Sequence, residues 1–261
     1  MLDQLKVVYK RGRGHVFSPD PYYIGKLDAI YDILKQCQRE PDRYVLMLED
    51  ELTFYRHPSL ARDWAQKGHD QPLAEMGHSR NQSYRIAGAL NAFSGQVVYC
   101  MDDRMGVEGM IRLLRKVKKT YSEAEQIFII LDNWPVHYHV DVMAALCPQQ
   151  IAWPLPDVSY VKSAPSASAR RLNLPIRLVP LPTYAPWTNP IEKLWRWLYQ
   201  DVLHQHRFSD DWTGLRDAVH EFLDGFACGS LELLRYVGLT DPERFYGRAR
   251  ENARLAHGIV A

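Results

Sequence analysis

Residues Gln126–His137 read QIFIILDNWPVH. The first six are almost wholly apolar, with three isoleucines and a phenylalanine, and they do not alternate with polar residues. Such a run reads as a strand buried on both faces rather than one that faces water. It ends in acid at Asp132, and Pro135 then opens a predicted helix to about Leu146. A second run of the same kind, YVLML at Tyr44–Leu48, follows Pro41-Asp42 and also ends in acid, at Glu49-Asp50-Glu51. Neighbouring strands lie about 4.8 Å apart, so acids at the same end of two parallel neighbours can share a metal ion. Strand alternation gives Asp50 the parity of Leu46 and Leu48 and turns Glu49 and Glu51 to the opposite face.

Outward from these two strands the pattern is α/β. Ile24, Leu27, Ile30, Tyr31 and Leu34 recur at helical spacing and predict a helix over 22–39. Segment 52–82, rich in His, Arg, Gly and Pro, reads as a loop with ragged pairing. Tyr84–Phe93 and Gln96–Met101 around Ser94-Gly95 read as a hairpin. Gly106 precedes an amphipathic helix to about Thr120 with Met110, Leu113, Leu114 and Val117 on one side. Its other side carries Arg112, Arg115, Lys116, Lys118 and Lys119, a cluster able to track phosphates or simply to solvate a helix. The stretch 147–175, with several prolines and the piece KSAPSASARR, reads as an exposed insertion in which Arg170 and Arg171 are a further basic pair. Ile176–Leu181 makes another strand, and Asn189-Pro190 opens a helix to about His204. Helical patterns near Trp212–Phe226 and Ser230–Val237 precede a polar tail. The expected organisation is a connector and helix over 1–40, a catalytic domain over 41–208 with an insertion at 148–175, and a helical extension over 209–261.

Composition excludes several classes. Hydrophobic residues make up 46% and charged residues 24%, values of a folded globular chain. No apolar run is long enough to span a bilayer, and the start MLDQLKVVYKRGRGHVF lacks a secretory signal's apolar stretch. A cytoplasmic protein is expected. Cys37, Cys100, Cys147 and Cys228 form no C-x-x-C pair, so buried reduced thiols are expected rather than a zinc ribbon. The H-x-H pairs His137/His139 and His204/His206 sit in or beside helices, where their rings diverge. A formal net charge of +1 means that any DNA-gripping charge is local or lies on another part. Asp102-Asp103, before a Gly turn, form a reserve acidic pair.

The third chemical segment is PTYAPWTNPIEKLWRWL, Pro182–Leu198. On spacing alone Asn189-Pro190-Ile191-Glu192 is a helix start, with Asn189 as N-cap and Glu192 reaching back in a capping box. Its flanks reverse that preference. The segment resembles the P-x-x-S-P-x-x-N-P-I-E-x-x-W signature of the mariner-like DDE transposases and their bacterial insertion-sequence relatives. LDNWPVH resembles their second-aspartate motif, LEDELTFYRHP the first, and RDWAQKG with RIAGALNAFSGQVVY their hairpin region. The similarity covers about Ser18–Phe208.

The resemblance implies an RNase H-like fold with a mixed central sheet flanked by helices. Asp50, Asp132 and Glu192 become the catalytic, metal-holding residues for two Mg²⁺ or Mn²⁺ ions, with Glu51, Asn133, His137 and Asn189 around them. It implies metal-dependent nicking of double-stranded DNA at transposon ends, then attack of the freed 3′ hydroxyl on target DNA by a homo-oligomer. Two ions about 3.5–4 Å apart suit such a transfer, and no covalent enzyme intermediate is needed. Two departures stand out. Between Asp132 and Glu192 lie 59 residues, more than the family's habit, which the insertion explains if it loops out. The family's helix-turn-helix modules are not seen in this chain, so a separate or fused part is expected to read the ends. Rival readings are a catalytically inactive DNA- or partner-binding remnant and an RNase H-like nuclease acting on hybrid or branched substrates.

Overall fold

The computed structural model describes residues 18–62, 64–148, 152–154 and 164–256. The N-terminal connector before Ser18, residues 149–151 and 155–163 of the insertion, residue 63 and the last five residues lie outside them. Helix α1 (Tyr23–Arg39) leads into strand β1 (Tyr44–Tyr55), then β2 (Ser83–Asn91), β3 (Val97–Asp102), helix α2 (Val107–Thr120) and β4 (Gln126–Leu131). Next come α3 (Val140–Ala145), the single turn α4 (Ala167–Arg170), β5 (Ile176–Pro180) and α5 (Glu192–Leu198), which widens into a π-helical turn over Tyr199–Leu203. Helices α6 (Trp212–Asp224), α7 (Leu231–Val237) and α8 (Pro242–Ala256) follow.

The five strands form one mixed sheet in the order β3-β2-β1-β4-β5. β1 pairs antiparallel with β2, and β2 with β3, whereas β4 lies parallel to both β1 and β5. Both faces are covered, which is why the strands read as unbroken apolar runs. Leu46, Leu48, Phe128, Ile130 and Val179 pack on the side of α1 and α5–α8. Met47, Ile127, Ile129, Leu131 and Leu178 pack on the side of α2 and α3. Each helix presents the stripe its spacing predicts: α1 buries Leu27, Ile30, Leu34 and Cys37, and α2 buries Met110, Leu113, Leu114 and Val117.

Four local expectations change. β1 runs on through Tyr55, because Leu52–Tyr55 pairs with Ser83–Ile86, so the loop begins later than its composition suggests. Pro135 opens a single 3₁₀ turn, Pro135–Tyr138, and the α-helix starts only at Val140. The polar tail is the helix α8, whose mixed charge conceals an apolar side: Tyr246 is fully buried and Arg250 reaches Asp28 of α1. Cys37 and Cys100 are buried, but Cys147 is half-buried and Cys228 exposed, all four as free thiols. The insertion leaves and returns at one point. Leu146 and Leu174 form a parallel bridge, with Cys147 N donating to Leu174 O at 2.8 Å.

Candidate active site

The parallel ladder between β1 and β4 pairs Leu48 with Ile130. Two residues further along each strand stand Asp50 and Asp132, so the register brings these acids to the same end of neighbouring strands. Asp50 shares the parity of Leu46 and Leu48 and faces α5. Helix α5 begins at Glu192 and crosses that face, and one cleft of about 390 Å³ is lined by Asp50, Asp132 and Glu192 together with Asn133, Asn189 and the 181–186 loop. Asp50 is the half-buried floor, while Asp132 and Glu192 are exposed on the walls.

The electrostatics show how closely the acids crowd. Burial, then the charges of Glu192 and Glu51, push the Asp50 carboxyl up to about 8, against the opposing pull of a hydrogen bond from Trp195. Burial and the charge of Asp132 also raise Glu192. Three carboxyl groups thus converge on one cleft, and carboxylate oxygens are the ligand type hard divalent cations take.

Trp195, on the same helix face as Glu192 and three residues on, donates from Nε1 to Asp50 Oδ2 at 2.8 Å. Its ring lies over Gly88, the residue paired with Asp50 on β2. Neither role was read from the sequence, although a glycine inside a strand signals a close approach. Asn189 does not cap the helix. Its Nδ2 donates to Glu49 O at 2.9 Å, stitching the start of α5 to β1, and Ile191 occupies the cap position.

Asn133 and His137 are drawn into the surroundings of the cleft. Asn133 Nδ2 donates to Leu181 O at 3.0 Å and lies 3.4 Å from Thr183 Oγ1. The same loop is gripped from the other side by residues the sequence did not flag. Ser18 Oγ donates to Thr183 O at 2.5 Å, and Thr183 N donates to Asp20 Oδ2 at 2.8 Å. Asp20 is itself paired with Lys26, both buried, at 2.8 Å. His137 sits behind β1, with Nε2 3.0 Å from Glu51 Oε1. Burial alone would lower its pKa, but the hydrogen bond and charge of Glu51 outweigh burial and raise it.

Other candidates stand apart. Arg112, Arg115, Lys116 and Lys119 line a separate open cleft of about 710 Å³ against Tyr99–Met101 of the edge strand β3. Arg112 is paired with Asp102 at 2.7 Å, which also removes that acid from the catalytic reserve. Lys116 donates to Tyr99 O at 2.9 Å. Arg170 and Arg171 are exposed at α4. The H-x-H pairs do not converge: His139 Nδ1 accepts from Asp141 N, His204 Nδ1 meets Ser59 Oγ, and His206 Nδ1 accepts from Phe208 N. Among the described residues no helix is long and apolar enough to cross a membrane.

Comparison with known proteins supplies the family. The insertion element IS630 uncharacterized 39 kDa protein of Shigella sonnei is 27% identical over 214 residues, which cover 82% of this chain and 54% of that protein. The chain therefore spans about half the length of that curated relative. Among solved structures, the Mos1 transposase paired-end complex with left transposon end superposes at a TM-score of 0.57 with 15% identity, over 96% of this chain and 68% of that one. The catalytic domain of Mos1 mariner transposase gives 0.51 with 13% identity, over 92% and 97%. At such identities the likeness bears on the fold, which is the RNase H-like one. Residues 45–213 match the family model described as DDE superfamily endonuclease. As that match takes in well over half of the sequence, the chain belongs to the DDE superfamily of endonucleases.

Proposed function

We propose that this chain cuts DNA at the ends of a mobile element and joins the freed 3′ ends to target DNA, with Asp50, Asp132 and Glu192 as its catalytic acids. The observation that carries this reading is the lining of one cleft by carboxylates from three elements far apart in sequence. Asp50, Asp132 and Glu192 would hold two Mg²⁺ or Mn²⁺ ions, whose chemistry is to activate the attacking oxygen and neutralise the leaving one. Crowding that lifts the Asp50 pKa to about 8 fits a site completed by cations. The residues around the acids orient them. Trp195 and Asn189 fix Asp50 and its strand to α5, while Asn133 and Asp20 hold the 181–186 loop at the wall.

The basic cleft on the β3 edge suits the DNA backbone. Asp50, Gly88 and Tyr99 lie in one row across three strands, so that edge is about 10 Å from the acids at normal strand spacing. Arg112, Arg115, Lys116 and Lys119 would track phosphates there, and Arg170 and Arg171 would add a second contact. The proposal includes a homo-oligomeric active species and a helix-turn-helix part, fused or separate, that reads the ends.

The test is cleavage of duplexes carrying the element's terminal repeats, with Mg²⁺ or Mn²⁺ and the end-reading part supplied. Asp50→Asn, Asp132→Asn and Glu192→Gln are each expected to abolish cleavage with the circular dichroism spectrum unchanged. Full cleavage by any of the three defeats the assignment. Cleavage of RNA–DNA hybrids or branched DNA in preference to terminal repeats would replace transposition with a repair-type nuclease activity.

A further inference from the structure

Glu49 and Glu51 project from β1 on the side away from Asp50, and there they meet His137. The imidazole Nε2 lies 3.0 Å from Glu51 Oε1 and 3.3 Å from Glu49 Oε2, with one ligand atom from each of the three residues within 4.8 Å of the others. The His137 and Glu49 side chains are fully buried, and Glu51 retains 20% exposure at the open edge. Neither carboxylate oxygen of Glu49 meets a hydrogen-bond donor. Burial and the charge of Glu51 push the Glu49 carboxyl well above its ordinary value, and a carboxylate kept ionised there needs a cation beside it.

The hydrogen-bond pattern narrows what that is. His137 Nδ1 faces only acceptors, Asp132 O at 3.2 Å and Asp132 Oδ1 at 3.3 Å, so it carries a hydrogen and donates. Nε2 then points its lone pair at two carboxylates. A divalent cation where the three groups converge serves all of them. A tetrahedron with metal–ligand bonds of about 2.0–2.1 Å has edges of about 3.3–3.4 Å, which the 3.3 Å separation matches and the 3.0 Å one approaches. Donation of the other ring N–H to a backbone carbonyl is the usual support of a metal-bound histidine.

We propose that Glu49, Glu51 and His137 form a structural site for a first-row transition-metal ion, separate from the acid cleft on the other face of β1. An imidazole in the donor set favours Zn²⁺, Co²⁺, Fe²⁺ or Ni²⁺ over Mg²⁺, unlike the all-oxygen cleft. The ion ties β1 to the turn after β4 and so holds Asp50 and Asp132 in register from behind.

The experiment uses the full chain with Asp50→Asn and Glu192→Gln, which disarm the cleft, stripped of metal by chelation and titrated with Co²⁺. The expected result is one equivalent bound with a visible ligand-field band and a rise in Tm, displaced by Zn²⁺ but not by millimolar Mg²⁺. Adding Glu49→Gln, which preserves shape, should weaken Co²⁺ binding by more than about 10–100-fold, the loss that follows when only a partner of a metal ligand is changed. His137→Ala should abolish the band. Crystals grown with Zn²⁺ should show anomalous density between the three side chains. Absence of the band, a band unchanged by Glu49→Gln, or density only in the acid cleft would overturn the proposal and assign the cluster to shared protons.

Discussion

Adding one methyl group at Gly88 should disable the acid cleft from the neighbouring strand. A Cβ there would lie 2.6 Å from Trp195 Cη2 and 3.1 Å from Cζ2. Normal carbon contacts need about 3.5–4.0 Å, so the indole must retreat by about 1 Å. That movement carries Nε1 beyond hydrogen-bonding reach of Asp50 Oδ2, now 2.8 Å away. The overpacking costs about 1–3 kcal/mol, and loss of a hydrogen bond to a charged group costs about 1.5–3 kcal/mol. A catalytic carboxylate displaced by about 1 Å loses about 100-fold in rate. Trp195→Phe separates the two effects by deleting the donor without adding atoms at Gly88. Single-turnover cleavage and urea unfolding are measured on both. Gly88→Ala should lose both stability and rate, and Trp195→Phe chiefly rate. Trp195 is the influence that lowers the Asp50 pKa, so Trp195→Phe should also move the acid limb of the pH–rate profile to higher pH. Wild-type cleavage by Trp195→Phe, with its pH profile unmoved, would reduce Trp195 to packing and refute the positioning argument.

Between about pH 4 and 8 the folded, metal-free protein holds a proton on Asp50 that the unfolded chain has released, and Glu192 is shifted in the same direction. Its Tm in chelator should therefore fall as pH rises through that window, and Mg²⁺ or Mn²⁺ should restore it at pH 8; a flat or rising chelated profile would contradict the buried-acid picture. Asp20 has the opposite sign. Burial would raise its pKa, but Lys26 and the N–H groups of Thr183 and Tyr22 hold it low, so its contribution is lost only as pH falls below the normal carboxylate range. Asp20→Ala strands a buried Lys26 and should cost about 3–5 kcal/mol in urea unfolding, while freeing the Thr183 loop and slowing cleavage; an unchanged midpoint would refute the anchoring role. Arg115→Ala and Lys119→Ala should weaken DNA binding regardless of sequence and each reduce the salt slope by about 1. Arg112→Ala should do less because Asp102 already engages it. Salt slopes equal to wild type would place the DNA elsewhere.

The parts legible from the sequence are those dictated by local periodicity. Two apolar runs ending in acid, at Asp50 and Asp132, had to be neighbouring buried strands if the acids were to meet, and strand parity already separated Asp50 from Glu49 and Glu51. What stayed hidden depends on contacts between elements. The polar composition of α8 conceals Tyr246, because helical burial is decided by one stripe and not by average character. Leu52–Tyr55 looked like loop because its strand identity comes from pairing with β2.

The capping box that spacing alone offers at Asn189 does not form, for an instructive reason. A capping box is a local device, and nothing in NPIE distinguishes it from an asparagine that reaches another strand. The structure spends the Asn189 amide on Glu49 O and leaves the helix to start at Glu192 without a side-chain cap. An uncapped start is tolerable here because Leu194, Trp195 and Leu198 are buried against the sheet, and tertiary packing supplies most of a short helix's stability. The chain thus forgoes a cap and holds α5 from β1 instead. Local stability is exchanged for a fixed distance between Asp50 and Glu192, so residues around NPIE answer to the geometry of the cleft before they answer to helix propensity.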